Sequence, residues 1–110
     1  MKRVGIIDYG AGNFASVWNA LKSIEAEVYR ISDPKELSSF THVVLPGVGA
    51  FGAAMQRLHE LDYVESIKQV VKSGVNFLGI CVGMQVLFEK GMEFGEHMGL
   101  GLIKGEVSRL

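Results

Sequence analysis

The sequence has a single cysteine and two prolines in 110 residues. One cysteine excludes an internal disulfide. The histidines stand apart at His42, His59 and His97, so no Cys/His cluster has zinc spacing and no metal is expected. Neither sign of charge is in excess: Lys+Arg number 11, Asp+Glu 12, and the net charge is -1. The basic residues are scattered, which argues against a nucleic-acid partner. No apolar run approaches the ~18–20 residues of a membrane span. The N-terminus opens directly in a strand-like segment, without a secretory pattern. The expectation is a reduced, cytoplasmic protein, with no membrane partner and no cofactor. Charged residues make up 21%, near the usual share of about 25%, so disorder is not expected. The length bounds residues 1–110 to one domain, able to bury roughly 60–70% of its unfolded surface.

Glycine is the abundant residue, 14 in all against an average near ~7%, and its placement carries the reading. Residues 3–8, RVGIID, read as a buried parallel strand. A turn at Tyr9-Gly10-Ala11-Gly12 leads to Asn13, a good N-cap, and to a helix over 14–24 with Phe14, Val17, Leu21 and Ile24 on one face. Glu27 to Ile31 is a second strand. Asp33-Pro34 starts a helical turn. Residues 42–46, HVVLP, are a third strand. Helices follow at Ala54–His59 and 62–73, the latter capped by Asp62 and closed by Gly74. Residues 76–80, NFLGI, are a fourth strand, and 82–90 read as a helix closed by Gly91. A Gly-rich loop over 92–101 and a last strand at 102–107 complete the pass. Alternation of this kind predicts an open, mostly parallel α/β sheet of about five strands with helices on both faces, flavodoxin-like.

The sharpest local signal is Gly79-Ile80-Cys81-Val82-Gly83, between an apolar strand and a helix. Glycine two residues either side of a nucleophile, at a strand-to-helix turn, is the pattern of a nucleophile elbow. The turn is so tight that side chains at the flanking positions would collide with crossing backbone. It lifts the nucleophile above the carboxyl ends of the strands, where open α/β sheets bind ligands. A helix N-terminus there would favour anionic sulfur and offer backbone N–H groups to an oxyanion. Pro46-Gly47-Val48-Gly49 follows another strand and is a candidate second half of an oxyanion hole; it also reads as a plain turn.

These stretches together resemble the class I (triad-type) glutamine amidotransferases. Within that class they are most similar to the glutaminase subunits of imidazole glycerol phosphate synthase. The likeness rests on GIIDYGAGN at 5–13, LPGVGAFGAAMQRL at 45–58, GICVGMQVLFE at 79–89 and GLGLIKGEV at 99–107. Residue 82 is Val where the family most often has Leu. The resemblance implies that Cys81 attacks the side-chain amide of glutamine, forming a γ-glutamyl thioester and releasing ammonia. It implies that backbone at Gly47, Val48 and Gly49, with the N–H of Val82, stabilises the oxyanion after the loop at Val48 rearranges. It assigns Gln85 to glutamine binding. It implies a heterodimer with a (β/α)8-barrel cyclase, for which Gly10, Asn13, Phe51 and Gly52 are candidate interface residues. Asn13 reads equally well as a plain cap.

The resemblance also implies a His-x-Glu pair, as base and orienter for the cysteine, and this sequence has none. His42 begins a core strand, His59 ends a helix, and His97 reads as a loop histidine. The expectation is therefore the N-terminal part of a single amidotransferase domain, inactive by itself. The alternatives are a paralogue feeding ammonia to another acceptor, such as a surface-sugar pathway, and a non-catalytic fragment that binds the synthase.

Overall fold

A computed structural model of the chain describes residues 2–10 and 13–109. Ala11 and Gly12 of the first turn lie outside the described residues. Strand β1, Arg3–Ile7, pairs in parallel with β2, Glu27–Ile31, on one side and with β3, His42–Leu45, on the other. Strand β4, Asn76–Gly79, pairs in parallel with β3. The sheet order is β2-β1-β3-β4.

Successive strand residues point to opposite faces, and both faces here are apolar. Val4, Ile6, Val28 and Val44 pack against Phe14, Val17, Trp18 and Leu21 of helix α1, Phe14–Ser23. Ile7, Ile31, Val43 and Leu45 pack under helices α2, Phe51–Glu60, and α3, Tyr63–Lys72. On α3 the stripe Val64, Ile67 and Val70 is buried. Each such side chain contributes about 1.5–3 kcal/mol by leaving water. Lys68 and Lys72 lie on the more exposed part of the same helix.

Local signals decide the ends of several elements. The 3-10 turn Pro34–Ser39 starts in a complete capping box. Asp33 Oδ1 accepts from the Lys35 N–H at 2.9 Å and Glu36 Oε1 from the Asp33 N–H at 3.1 Å. Gly74 follows α3 at φ 97°, a left-handed conformation that suits glycine. Two expected caps differ. Asn13 and Asp62 precede their helices without a side-chain cap bond. Asp62 is itself left-handed, at φ 63°, in the two-residue link between α2 and α3.

Beyond the fourth strand the fold departs from expectation. The helix over 82–90 is a single turn, α4, Val82–Gln85. Phe88–Gly91 is instead strand β5, so Gly91 closes no helix. Strand β5 pairs antiparallel with β6, His97–Met98, inside the expected loop, and in parallel with β7, Ile103–Val107. The reason is long-range: the backbone of 88–91 finds hydrogen-bond partners in 97–107, which a short apolar run cannot announce. The last strand thus joins a separate three-stranded sheet, and the parallel sheet has four strands among the described residues. Helix α2 also starts earlier than expected, at Phe51, with the Ala54 N–H already donating to Ala50 O.

Candidate functional site

Because β1, β3 and β4 are parallel, the segments that follow them emerge at one edge of the sheet. These are Tyr9-Gly10, Pro46–Ala50 and Ile80–Val82. Cys81 sits on the third. Its φ of 55° and ψ of -124° are those of the first central residue of a type II′ turn. The bond that closes such a turn is present, from the Gly83 N–H to Ile80 O at 2.9 Å. A non-glycine residue in this conformation is strained. The thiol is exposed.

The flanking glycines answer to sterics. A Cβ on Gly83 would lie 1.9 Å from Leu45 O, and one on Gly79 would lie 2.6 Å from Gly83 O. Both obstacles are backbone, which cannot move aside. The elbow is thereby wedged against the end of β3. The Ile80 N–H also donates to Leu45 O, at 3.0 Å. The side chains of Val82 and Val86 are buried in the main core, while Cys81 stays outside it.

The loop after β3 lies directly against the elbow. The Val82 N–H donates to Gly47 O at 3.3 Å, so in this state that amide is not free for an oxyanion. Val48 is 54% exposed, and Gly49 adopts φ 92° with open space around its Cα. Gln85 is half-buried, one turn after Cys81. It lines a cleft of about 130 Å³ with Phe51, Gly91, Met92, Glu93 and Val107.

The candidate interface residues separate. Gly10 and Asn13 are exposed. Phe51 is only 1% exposed, and its ring packs against the chain at Gly91 and Gly99. Phe51 is therefore a core residue and offers no surface, a correction to its expected interface role. Gly52 is overlaid by the His97 ring, whose Cε1 is 2.7 Å from where a Cβ would stand.

The histidines lie in three other places. His42 starts β3, at the opposite end of the sheet from Cys81. Its Nδ1 is 2.8 Å from Thr41 Oγ1, and its Nε2 is 3.4 Å from Asn76 Nδ2. His59 stands near the far end of α2. His97 belongs to β6, and its Nε2 lies 3.2 Å from Phe94 O.

Two side chains not singled out in the sequence bind this edge together. The buried Tyr9 hydroxyl donates to Pro46 O at 2.7 Å. Arg57 Nε, from α2, donates to Tyr9 O at 3.2 Å. Burial pushes the Tyr9 phenol up to about 12. Both contacts join residues far apart in the chain, and no local pattern marks them.

An exposed, strained cysteine stands at the carboxyl edge of a parallel sheet, with glycines where no Cβ fits, which is the geometry of a nucleophile elbow. The chain belongs to the family described as glutamine amidotransferase class-I, which matches residues 5–105. It is 51% identical over 107 residues to imidazole glycerol phosphate synthase subunit HisH 1 of Legionella pneumophila (strain Lens), spanning 97% of this chain and 50% of that one. It is also 51% identical over 106 residues to the HisH subunit of Aquifex aeolicus (strain VF5), spanning 96% of this chain and 51% of that one. The chain thus spans about half the length of the curated relatives it matches. A crystal structure of a glutamine amidotransferase superimposes with a TM-score of 0.81 at 22% identity. It covers 96% of this chain and 56% of that one, a likeness of fold. Among the described residues, no helix is long and apolar enough to cross a membrane.

Proposed function

We propose that the chain is the nucleophile-bearing part of a single cytoplasmic glutaminase domain. That domain supplies ammonia to a (β/α)8-barrel cyclase making imidazole glycerol phosphate in histidine biosynthesis. The observation that carries this reading is Cys81, exposed on a turn that Gly79 and Gly83 alone permit. The half-identical HisH subunits support the choice of acceptor.

In this reading the Cys81 sulfur attacks the amide carbon of the glutamine side chain. The C–S bond forms, the C–N bond breaks, and ammonia leaves with the added proton. Water then cleaves the γ-glutamyl thioester, giving glutamate and the free thiol. The developing oxyanion is received by the Val82 N–H and by backbone at Gly47, Val48 and Gly49, once the bond from Val82 to Gly47 O opens. Gln85, one helical turn after Cys81, holds the substrate glutamine. The proton acceptor is none of His42, His59 and His97. His42 lies at the opposite end of the sheet from Cys81, His97 is engaged with Phe94 O, and α2 carries His59 about 12 Å along its axis from Phe51. The reading assigns the base to the rest of a domain twice this length. Gly10, Asn13 and Gly52 remain the surface offered to the cyclase.

Labelling of Cys81 with a γ-diazoketone analogue of glutamine tests the site. Mass spectrometry should find one adduct, on Cys81, whose formation glutamine slows and asparagine does not. Iodoacetamide should label the thiol equally with or without asparagine, which is one methylene too short. Absence of protection by glutamine would sink the glutamine pocket. Steady glutamine turnover by the pure chain, lost in Cys81→Ala, would overturn the assignment of the base elsewhere.

A further inference from the structure

The Tyr9 side chain lies against the start of the loop after β3. Its ring is 1% exposed, and its hydroxyl donates to Pro46 O at 2.7 Å. The next residue, Gly47, is closed in from both sides: a Cβ there would lie 2.8 Å from the Tyr9 hydroxyl and 2.7 Å from the Gly83 nitrogen. The Gly47 carbonyl in turn occupies the Val82 N–H at 3.3 Å. A buried tyrosine needs an acceptor for its hydroxyl. Here the acceptor is the carbonyl from which the loop departs, so the phenol fixes the orientation of the Pro46–Gly47 peptide and of the carbonyl that follows. The bond held by Tyr9 is short, while the bond it leads to at Val82 is long and correspondingly weaker.

Tyr9 is also held at its own backbone. Arg57 Nε donates to Tyr9 O at 3.2 Å, and the same guanidinium lies 3.4 Å from where a Cβ of Gly10 would stand. The exposed Gly10 turn, the Tyr9 ring and the loop after β3 therefore form one connected set of contacts, which ends on the amide next to the thiol.

We propose that Tyr9 is a positioning residue: its hydroxyl latches Pro46 so that Gly47 O covers the Val82 N–H, and release of this latch uncovers that amide. The proposal rests on the glutaminase reading for its chemical meaning and on the loop alone for its test. Amide hydrogen exchange, read by NMR on the 15N-labelled chain, compares the parent with Tyr9→Phe, which keeps the ring and removes the donor. The Val82 amide should exchange roughly two- to tenfold faster in the variant, the range set by the loss of one hydrogen bond. The Ile7 and Val44 amides should stay unchanged.

A fluorotyrosine introduced at position 9 alone makes the hydroxyl a stronger donor, and it should slow Val82 exchange. This second variant serves if Tyr9→Phe does not fold. An unchanged Val82 amide, or acceleration of all amides together, would overturn the latch, because a tyrosine that only fills the core predicts one of those results. Labelling by the γ-diazoketone analogue is measured on the same samples. A Val82 response without glutamine protection upholds the latch while the glutaminase reading falls.

Discussion

At Cys81 the chain accepts local strain to expose a sulfur. The residue adopts a conformation that glycine occupies freely, at φ 55° and ψ -124°. Glycine at that position should therefore be the more stable choice. Cys81→Gly is expected to raise the unfolding free energy by about 1 kcal/mol, measured by urea denaturation, whereas Cys81→Ala should give no such gain. Both should abolish alkylation. Equal stability of the parent and Cys81→Gly would show that the turn is not strained. The elbow was legible in the sequence because its causes are local: two glycines, one nucleophile and an apolar strand before them. The contacts that govern the neighbouring loop were not. Tyr9 meets Pro46 and Arg57 across separations of 37 and 48 residues, and only the packed sheet brings them together. For the same reason Phe51 looked like a loop residue available to a partner, yet it fills the space over Gly91 and Gly99.

Among the elements, those whose start or stop is written in adjacent residues follow the sequence. Asp33, Pro34 and Glu36 specify a capping box, and it forms. Asp33→Ala should cost about 1 kcal/mol, read as a lowered thermal midpoint. Asp62→Ala should cost less than Asp33→Ala does through capping, because the Asp62 side chain makes no cap bond. Asp62→Asn, which keeps the tolerance of the left-handed conformation, should be nearly neutral, and a loss there equal to that of Asp33→Ala would contradict this assignment. Residues 86–91 illustrate the opposite case. Their apolar pattern suits a helix continuing from α4, and a helix would satisfy their backbone locally. The structure satisfies it instead through β6 and β7. Glu89 adds a bond from its Oε1 to the Gly105 N–H at 2.9 Å. Propensity is too weak a preference to resist a ladder of this kind.

Over the whole molecule, two consequences are measurable. Strand β4 is an edge of the described parallel sheet, and its Leu78 is 55% exposed. An exposed apolar edge favours pairing with another chain. Sedimentation of the 110-residue chain should show concentration-dependent association, which Leu78→Lys reduces. A parent chain that stays monomeric at every concentration would refute this. The second consequence concerns alkaline pH. Burial pushes the Tyr9 and Tyr63 phenols up to about 12 from 10.0. The unfolded chain then releases these protons first and binds fewer of them above pH 10. The stability they contribute is complete below that pH and declines as pH rises from 10 towards about 12. Phenolate absorbance should rise together with loss of helical circular dichroism in that range, and Tyr63→Phe should make the decline shallower.

The sequence alone determined the alternation of parallel strands and helices, the elbow around Cys81, the glycine loop after the third strand and the resemblance to the amidotransferases. Each of these depends on residues close together in the chain, through periodicity, caps or steric room. Tertiary structure decided the single turn of α4, the separate sheet of β5, β6 and β7, the burial of Phe51 and the bonds that Tyr9 and Arg57 make beside the elbow. Those depend on which distant backbone groups and cavities meet, and that is set only when the sheet and its covering helices close on one another.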